Sequence, residues 1–239
     1  MISMVTTISH AQTTTQFMGW MAVFGSSTLN SQFSLHWESQ LRSEDDLKEM
    51  MTFILRAGLI YKLKNNQTLT AGLAYIDHHR TMDSVSGWGP EYRIWEQYVL
   101  NKSFSLSSHF ITIQNRFRLE QRFNSKSMVS ENELVNDGYN FTQRLRYFAR
   151  SIYPLAATPK NAFQQGTYLS LQDEIFFNLS NTSATNGKLF DQNRFYFSVG
   201  YRFNQKMDGE LGYMNQLIAR SGDQKTINHI LQLAFYFRL

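Results

Sequence analysis

The chemistry available to this chain is concentrated in arginine and glutamate placed at every second position. Arg116, Arg118, Glu120 and Arg122 are spaced by two, as are Arg144 and Arg146, with Arg150 four residues further on. In an extended chain that spacing puts a whole run on one face, because successive side chains point to opposite sides. Guanidinium and carboxylate groups on facing strands then meet, since cross-strand Cβ atoms lie about 4.5–5.5 Å apart. Arginine suits such a cluster through its permanent charge and planar fork of donors. Arg56, Glu174, Arg194 and Arg202 occupy the same phase of other segments, together with Glu38, Glu210 and Arg238. Two uses stay open. The cluster is either a cross-linked filling that holds strands in register, or the lining of a narrow path biased toward a small anionic solute.

Other chemistry is less supported. Acyl hydrolysis needs a serine, a histidine and an orienting acid or amide in one place. His229 and His109 could pair with Ser221 or Ser107, but no spacing joins them, so no catalytic residue is assigned. His78 and His79 beside Asp77 and Asp83 suggest a metal site, yet adjacent residues on a strand face opposite ways. No metal ligand and no cofactor are therefore assigned, and His36 reads as a hydrogen-bonding member of the polar phase. Glu44, Asp45, Asp46 and Glu49, echoed by Glu131, Glu133 and Asp137, read as solvated acidic loops that could bridge to lipopolysaccharide through divalent cations. Absence of cysteine removes disulfides, thiolate metal sites and thiol nucleophiles. Nucleic acid is not an expected partner, because the arginines alternate with apolar residues instead of forming an exposed basic patch.

The elements that must position these groups are strands. The longest apolar run, Phe17 to Gly25, is about nine residues, far short of the ~20 a membrane helix needs. Period-2 alternation dominates. Phe195, Phe197, Val199, Tyr201 and Phe203 oppose Arg194, Tyr196, Ser198, Gly200 and Arg202. Leu231, Leu233, Phe235 and Phe237 oppose Gln232, Ala234, Tyr236 and Arg238, and the same holds across 110–123, 139–150, 51–63 and 33–42. Less regular segments at 16–28, 68–79, 91–100, 168–178 and 206–217 bring the count to eleven. Asp173 lies on the apolar phase of its segment, which points to a bulge or an interfacial position.

Many segments hold ~11–14 alternating residues, where soluble strands average ~5–6 and a tilted membrane strand needs ~9–11. Tyrosine, phenylalanine and tryptophan gather near strand ends, as in the aromatic girdles of membrane barrels. The expected fold is all-β, a single antiparallel transmembrane β-barrel of roughly 10–12 strands, with short periplasmic turns and longer extracellular loops. Leu29-Asn30-Ser31, Asn65-Asn66 and Asn204-Gln205-Lys206 supply the turns, and 43–49, 80–90, 124–138, 179–190 and 218–227 supply the loops. Because bacterial single-chain barrels have even strand numbers, twelve is favoured over eleven. A soluble ligand-binding barrel is the alternative fold reading. Ser9-His10-Ala11 before Gln12 fits a small-x-small cleavage pattern, so residues 1–11 read as the tail of a signal peptide and 12–239 as one barrel domain.

Several stretches resemble a known family in ordered succession: Arg118-Leu119-Glu120-Gln121-Arg122-Phe123, Arg144-Leu145-Arg146-Tyr147, Asp173-Glu174-Ile175-Phe176-Phe177-Asn178, Asp191-Gln192-Asn193-Arg194, Gly200-Tyr201-Arg202-Phe203, Leu211-Gly212-Tyr213-Met214-Asn215-Gln216 and His229-Ile230-Leu231-Gln232-Leu233. From about Trp20 to the C-terminus the chain is similar to the Gram-negative outer-membrane barrel family termed domain of unknown function 2490. The resemblance implies a location in the bacterial outer membrane, with membrane lipid, lipopolysaccharide and the barrel assembly machinery as partners. It brings no activity or catalytic residue. Phe237-Arg238-Leu239 departs from the terminal aromatic that many such barrels carry. The functional expectation is a non-enzymatic, porin-like barrel, with a lipid-acting hydrolase as the alternative.

Overall fold

A computed structural model describes residues 13–44, 49–106, 108–156 and 163–239. The proposed leader at 1–11 and the acidic pair Asp45 and Asp46 lie outside the described residues. Eleven strands form one sheet: β1 (Thr13–Thr28), β2 (Phe33–Glu44), β3 (Glu49–Lys62), β4 (Gln67–Met82), β5 (Val85–Leu106), β6 (His109–Ser130), β7 (Glu133–Pro154), β8 (Gly166–Ser180), β9 (Phe190–Asn204), β10 (Met207–Ala219) and β11 (Lys225–Arg238). A one-turn 3-10 helix at Thr182–Ala184 is the sole helical element among the described residues.

The sheet closes into a barrel, with each strand paired to its sequence neighbours and β1 paired to β11. Ten of these pairings are antiparallel and the closing one is parallel, running from Thr13 opposite Lys225 to Ser26 opposite Arg238. The preference for twelve strands is corrected here to eleven. Even parity follows only when the closing pair is antiparallel, and a parallel ladder also satisfies every backbone donor and acceptor. One walk around the ladder starts at Gly89 and passes His78, Thr52, Arg42, Trp20, Gln232, Gly212, Ser198, Ser170, Ile152 and Thr112. It returns to β5 at Ser103, fourteen residues further on. Such a stagger goes with strands tilted by roughly 45° and leaves an interior that long side chains can largely fill.

Turn chemistry explains the connections. Asn65 and Asn66 both adopt left-handed φ, 59° and 58°, as a two-residue hairpin turn requires. The same geometry recurs at Asp83-Ser84 and Glu131-Asn132. The segments 80–90 and 124–138 are therefore hairpin extensions of β4–β5 and β6–β7, and β5, β6 and β7 each reach 22 residues. Met82, Val85, Trp88, Met128 and Val135 are scattered through these extensions among polar residues without a regular phase, which erases the alternation that marks strands elsewhere. At the end where the chain terminates, Asn30 Oδ1 accepts hydrogen bonds from the backbone N–H groups of Gln32 and Phe33 at 2.9 and 2.8 Å and closes the β1–β2 turn.

Alternation sorts the side chains as the pattern implies. The outer wall is apolar and exposed, as at Leu73 (65%), Leu211 (54%) and Leu231 (46%). Aromatic pairs edge it: Phe33 with Tyr61 and Trp37 with Phe237 toward the terminal rim, Tyr92 with Tyr75 and Tyr139 toward the other. Asp173 faces this outer wall and accepts a 2.7 Å hydrogen bond from Asn193 Nδ2, while the register slips nearby between Phe176 and Phe177. Among the described residues no helix is long and apolar enough to cross a membrane, which says nothing about strands.

Candidate functional site in the barrel lumen

The inner face holds two small apolar clusters and a dense array of charge. Met18, Trp20, Tyr196, Met214 and Ile230 form one cluster, and Ile54, Ala74, Ile76 and Trp95 the other. Trp95 is fully buried and lies over two opposed glycines. A Cβ at Gly58 or Gly72 would meet its ring at 2.8 or 2.7 Å, so these glycines make room for the indole. The guanidinium carbons of Arg118 and Arg56 in turn sit 4.7 and 5.9 Å from that ring's centre.

Three buried carboxylates, Glu120, Glu174 and Glu91, each gather two or more arginines. Glu120 is completely buried on β6, and receives Arg144 Nη2 and Arg146 Nη1 at 2.8 Å each and Arg93 Nη1 at 3.4 Å. Arg56 and Arg118 approach the same carboxylate to 4.0 Å. Arg118 also donates from Nε and Nη2 to Gln97 Oε1. Glu174 on β8 binds Arg116 and Arg146 at 2.7 Å each. Glu91 on β5 binds Arg93 at 2.6 Å, Arg122 at 2.7 Å and His78 at 3.1 Å. Glu38 pairs with Arg56, and Glu210 with Arg150 and the Tyr168 hydroxyl. The facing positions Glu120–Arg144 and Arg118–Arg146 on β6 and β7 explain why these groups meet.

Aromatic faces carry part of the remaining cationic density. Phe176 lies beneath Arg146, Arg194 and Arg144 at 4.6, 4.8 and 5.0 Å. Phe148 lies 4.0 Å beneath Arg116. Such contacts are worth about 0.5–1 kcal/mol when exposed and ~2 when desolvated.

Between these groups runs a cavity of about 870 Å³. Its walls include Phe237 and Arg238 near the terminal rim, and Arg80, Asn186 and Ser221 near the opposite one. Asn186 is fixed over that end by donating to the carbonyls of Phe190 and Ala219 at 2.9 and 3.0 Å. Arg56, Arg116, Arg118, Arg122, Arg144, Arg146, Arg150, Glu174 and Arg194 all reach the cavity wall. Glu120 lies behind it, screened by its arginines. Arg202 is separate: it makes a two-pronged pair with Asp208 at 2.8 and 2.9 Å, shared with Arg238, and donates to the Phe163 carbonyl at 2.7 Å.

Sequence reasoning missed Glu91 and Arg93, the tie between the Glu120 cluster and the β4–β6 side. Their signal was present as Glu91, Arg93, Trp95 and Gln97 at alternate positions. It was obscured by reading 80–90 as a loop and starting the strand at its edge. Asp191, 3.1 Å from Arg144, and Arg42, which lines the cavity, were also overlooked as site residues.

The histidines sort differently. His229 faces outward, with Nδ1 2.6 Å from the Tyr213 hydroxyl, whereas Ser221 lines the lumen, so the two are not brought together. His109 Nδ1 lies 3.3 Å from Ser108 Oγ, and Ser107 is outside the described residues. His78 points inward to Glu91 and Thr52 while His79 packs on Trp88 at 5.3 Å. Among the described residues no three metal-binding side chains converge.

The chain is 25% identical over 202 residues to an uncharacterised protein of Methylorubrum extorquens, covering 84% of this chain and 78% of that protein. No solved structure matches it. A family model described as a protein of unknown function, DUF2490, matches residues 17–227, which run from β1 through β10 to the start of β11 and include the arginines around Glu91, Glu120 and Glu174, and the chain belongs to that family.

Proposed function

We propose that this protein is a non-enzymatic outer-membrane β-barrel whose lumen forms a narrow, anion-biased path. One observation carries the reading: a cavity walled from rim to rim by arginines that outnumber the carboxylates beside them. Rings of fixed positive charge lower the energy of an anion and raise that of a cation. Support for the membrane comes from the outer wall. Its exposed leucines, valines and phenylalanines, edged by aromatic pairs, far exceed the few hundred Å² of contiguous apolar surface that a soluble monomer exposes. Outer-membrane lipid and lipopolysaccharide are then the covering solvent, the assembly machinery is the partner during biogenesis, and the terminal rim faces the periplasm.

Planar-bilayer recording on the purified barrel tests the path. Discrete chloride-selective conductance steps support it. A silent barrel at high voltage leaves the arginine network as a structural filling. Incubation with phospholipid and lipopolysaccharide, with and without calcium, tests the absence of hydrolysis, and released fatty acid would overturn it.

A further inference from the structure

Two lumen arginines stand apart from the ion-pair network. Arg42 on β2 and Arg194 on β9 both lie against the indole of Trp20 on β1, with guanidinium carbons 3.9 and 5.0 Å from the ring centre. Among the described residues, neither has a carboxylate within 4 Å, unlike the arginines around Glu120, Glu174 and Glu91. Their hydrogen-bonding neighbours are neutral amides, and Glu174, which faces Arg194 across the β8–β9 ladder, stays beyond ion-pair distance. Arg42 donates from Nε and Nη2 to Gln40 Oε1 at 3.1 and 2.7 Å, and the Gln216 side-chain amide lies within 3.3 Å of the Arg194 guanidinium. The Trp20 Nε1–H is buried and meets no acceptor among the described residues. All three side chains line the cavity, and Arg194 is only 9% exposed.

Two fixed positive charges against one ring repel each other. A single oxyanion relieves that repulsion. Its oxygens accept from guanidinium forks, which match phosphate and carboxylate groups in pairs. Chloride offers one centre and no fork match.

We infer that Arg42, Arg194 and Trp20 form a binding site for a small oxyanion, a phosphate or carboxylate group, within the lumen. The inference rests on the lumen being accessible to solute. It names the place where a solute would pause, and it distinguishes oxyanions from halide.

The test uses the full barrel in detergent and in bilayers. Inorganic phosphate and succinate are titrated against tryptophan fluorescence and by calorimetry, with chloride as the control. Saturable binding of phosphate or succinate, weakened about tenfold by Arg194→Gln or Arg42→Gln and less by Arg194→Lys, supports the site. Trp20→Phe should abolish the fluorescence change while leaving Trp37, Trp88 and Trp95 to report folding. Absence of saturable binding by either oxyanion, or binding unaltered in both Gln variants, overturns the site.

The bilayer arm keeps the two readings apart. Chloride conductance that phosphate blocks in the wild type but not in the double Gln variant supports both. Chloride conductance indifferent to phosphate and succinate overturns the site and leaves the path. A silent barrel that still binds oxyanion in detergent overturns the path and leaves the site.

Discussion

The two sides of the lumen handle arginine differently. On the β5–β8 side, Glu91, Glu120 and Glu174 each hold two or more guanidiniums at hydrogen-bonding distance, so charge there is cross-linked and largely neutralised. On the β1, β2, β9 side, Arg42 and Arg194 rest on Trp20 with amides at hydrogen-bonding distance and, among the described residues, no carboxylate within 4 Å. The same residue type is thus a structural rivet in one sector and an unneutralised charge in the other. The difference lies in the partner: a carboxylate consumes the field of a guanidinium, whereas an aromatic face supports the cation and leaves its field available to solute.

This contrast can be broken most directly at Glu120. Glu120→Gln removes the buried counter-charge that Arg93, Arg144 and Arg146 share, and leaves them only Glu91, Asp191 and Glu174 at the edges of the cluster. Removing one side of a buried ion pair costs about 3–5 kcal/mol, so the urea midpoint of the folded barrel should fall sharply. An unchanged midpoint would show that the network is not what holds these strands. Glu174→Gln removes the pairing of Arg116 and Arg146, but Arg146 keeps Glu120. A loss of about 2 kcal/mol is expected in the same melt.

Arg194→Gln should behave in the opposite way. It removes a charge that no carboxylate within 4 Å balances, so stability should hold within ~1 kcal/mol while chloride-over-potassium permeability drops several-fold. Arg202→Gln is the matched control: it breaks a closed pair with Asp208 away from the cavity wall, and should leave the reversal potential unmoved. The smallest effect lies outside. Glu96 is exposed on the outer wall and accepts a 3.0 Å hydrogen bond from Gln121 Nε2. If that wall meets lipid, Glu96→Leu should stabilise the barrel in vesicles by about 1 kcal/mol, since charge on a lipid-facing strand is costly. A water-facing wall predicts no gain.

Much of the fold was legible because alternation is a local property. Gln192 to Phe203 revealed which side chains face in and which face out without any knowledge of neighbours, and the lumen cluster followed from phase alone. Legibility failed where phase lost its contrast. At 80–90 and 124–138 the few apolar residues, such as Met82, Trp88 and Met128, keep no regular phase, so the segments read as loops and Glu91 and Arg93 fall at the edge of a strand. The turn at Glu131-Asn132 lacks glycine and gives little warning of two left-handed residues. The strand number was misjudged for a different reason: parity is a rule about how ends meet, and β1 and β11 are more than two hundred residues apart in sequence.

By itself, the sequence determined that this is a barrel-forming β protein with an apolar exterior and an arginine-rich interior, because side-chain direction along a strand depends only on position. The tertiary structure decided which arginines find a carboxylate. The stagger around the barrel and its parallel closure set which strands face across the lumen. They bring Arg150 to Glu210 and Arg194 to Trp20, contacts between residues 60 and 174 positions apart, and no local pattern encodes distances of that kind.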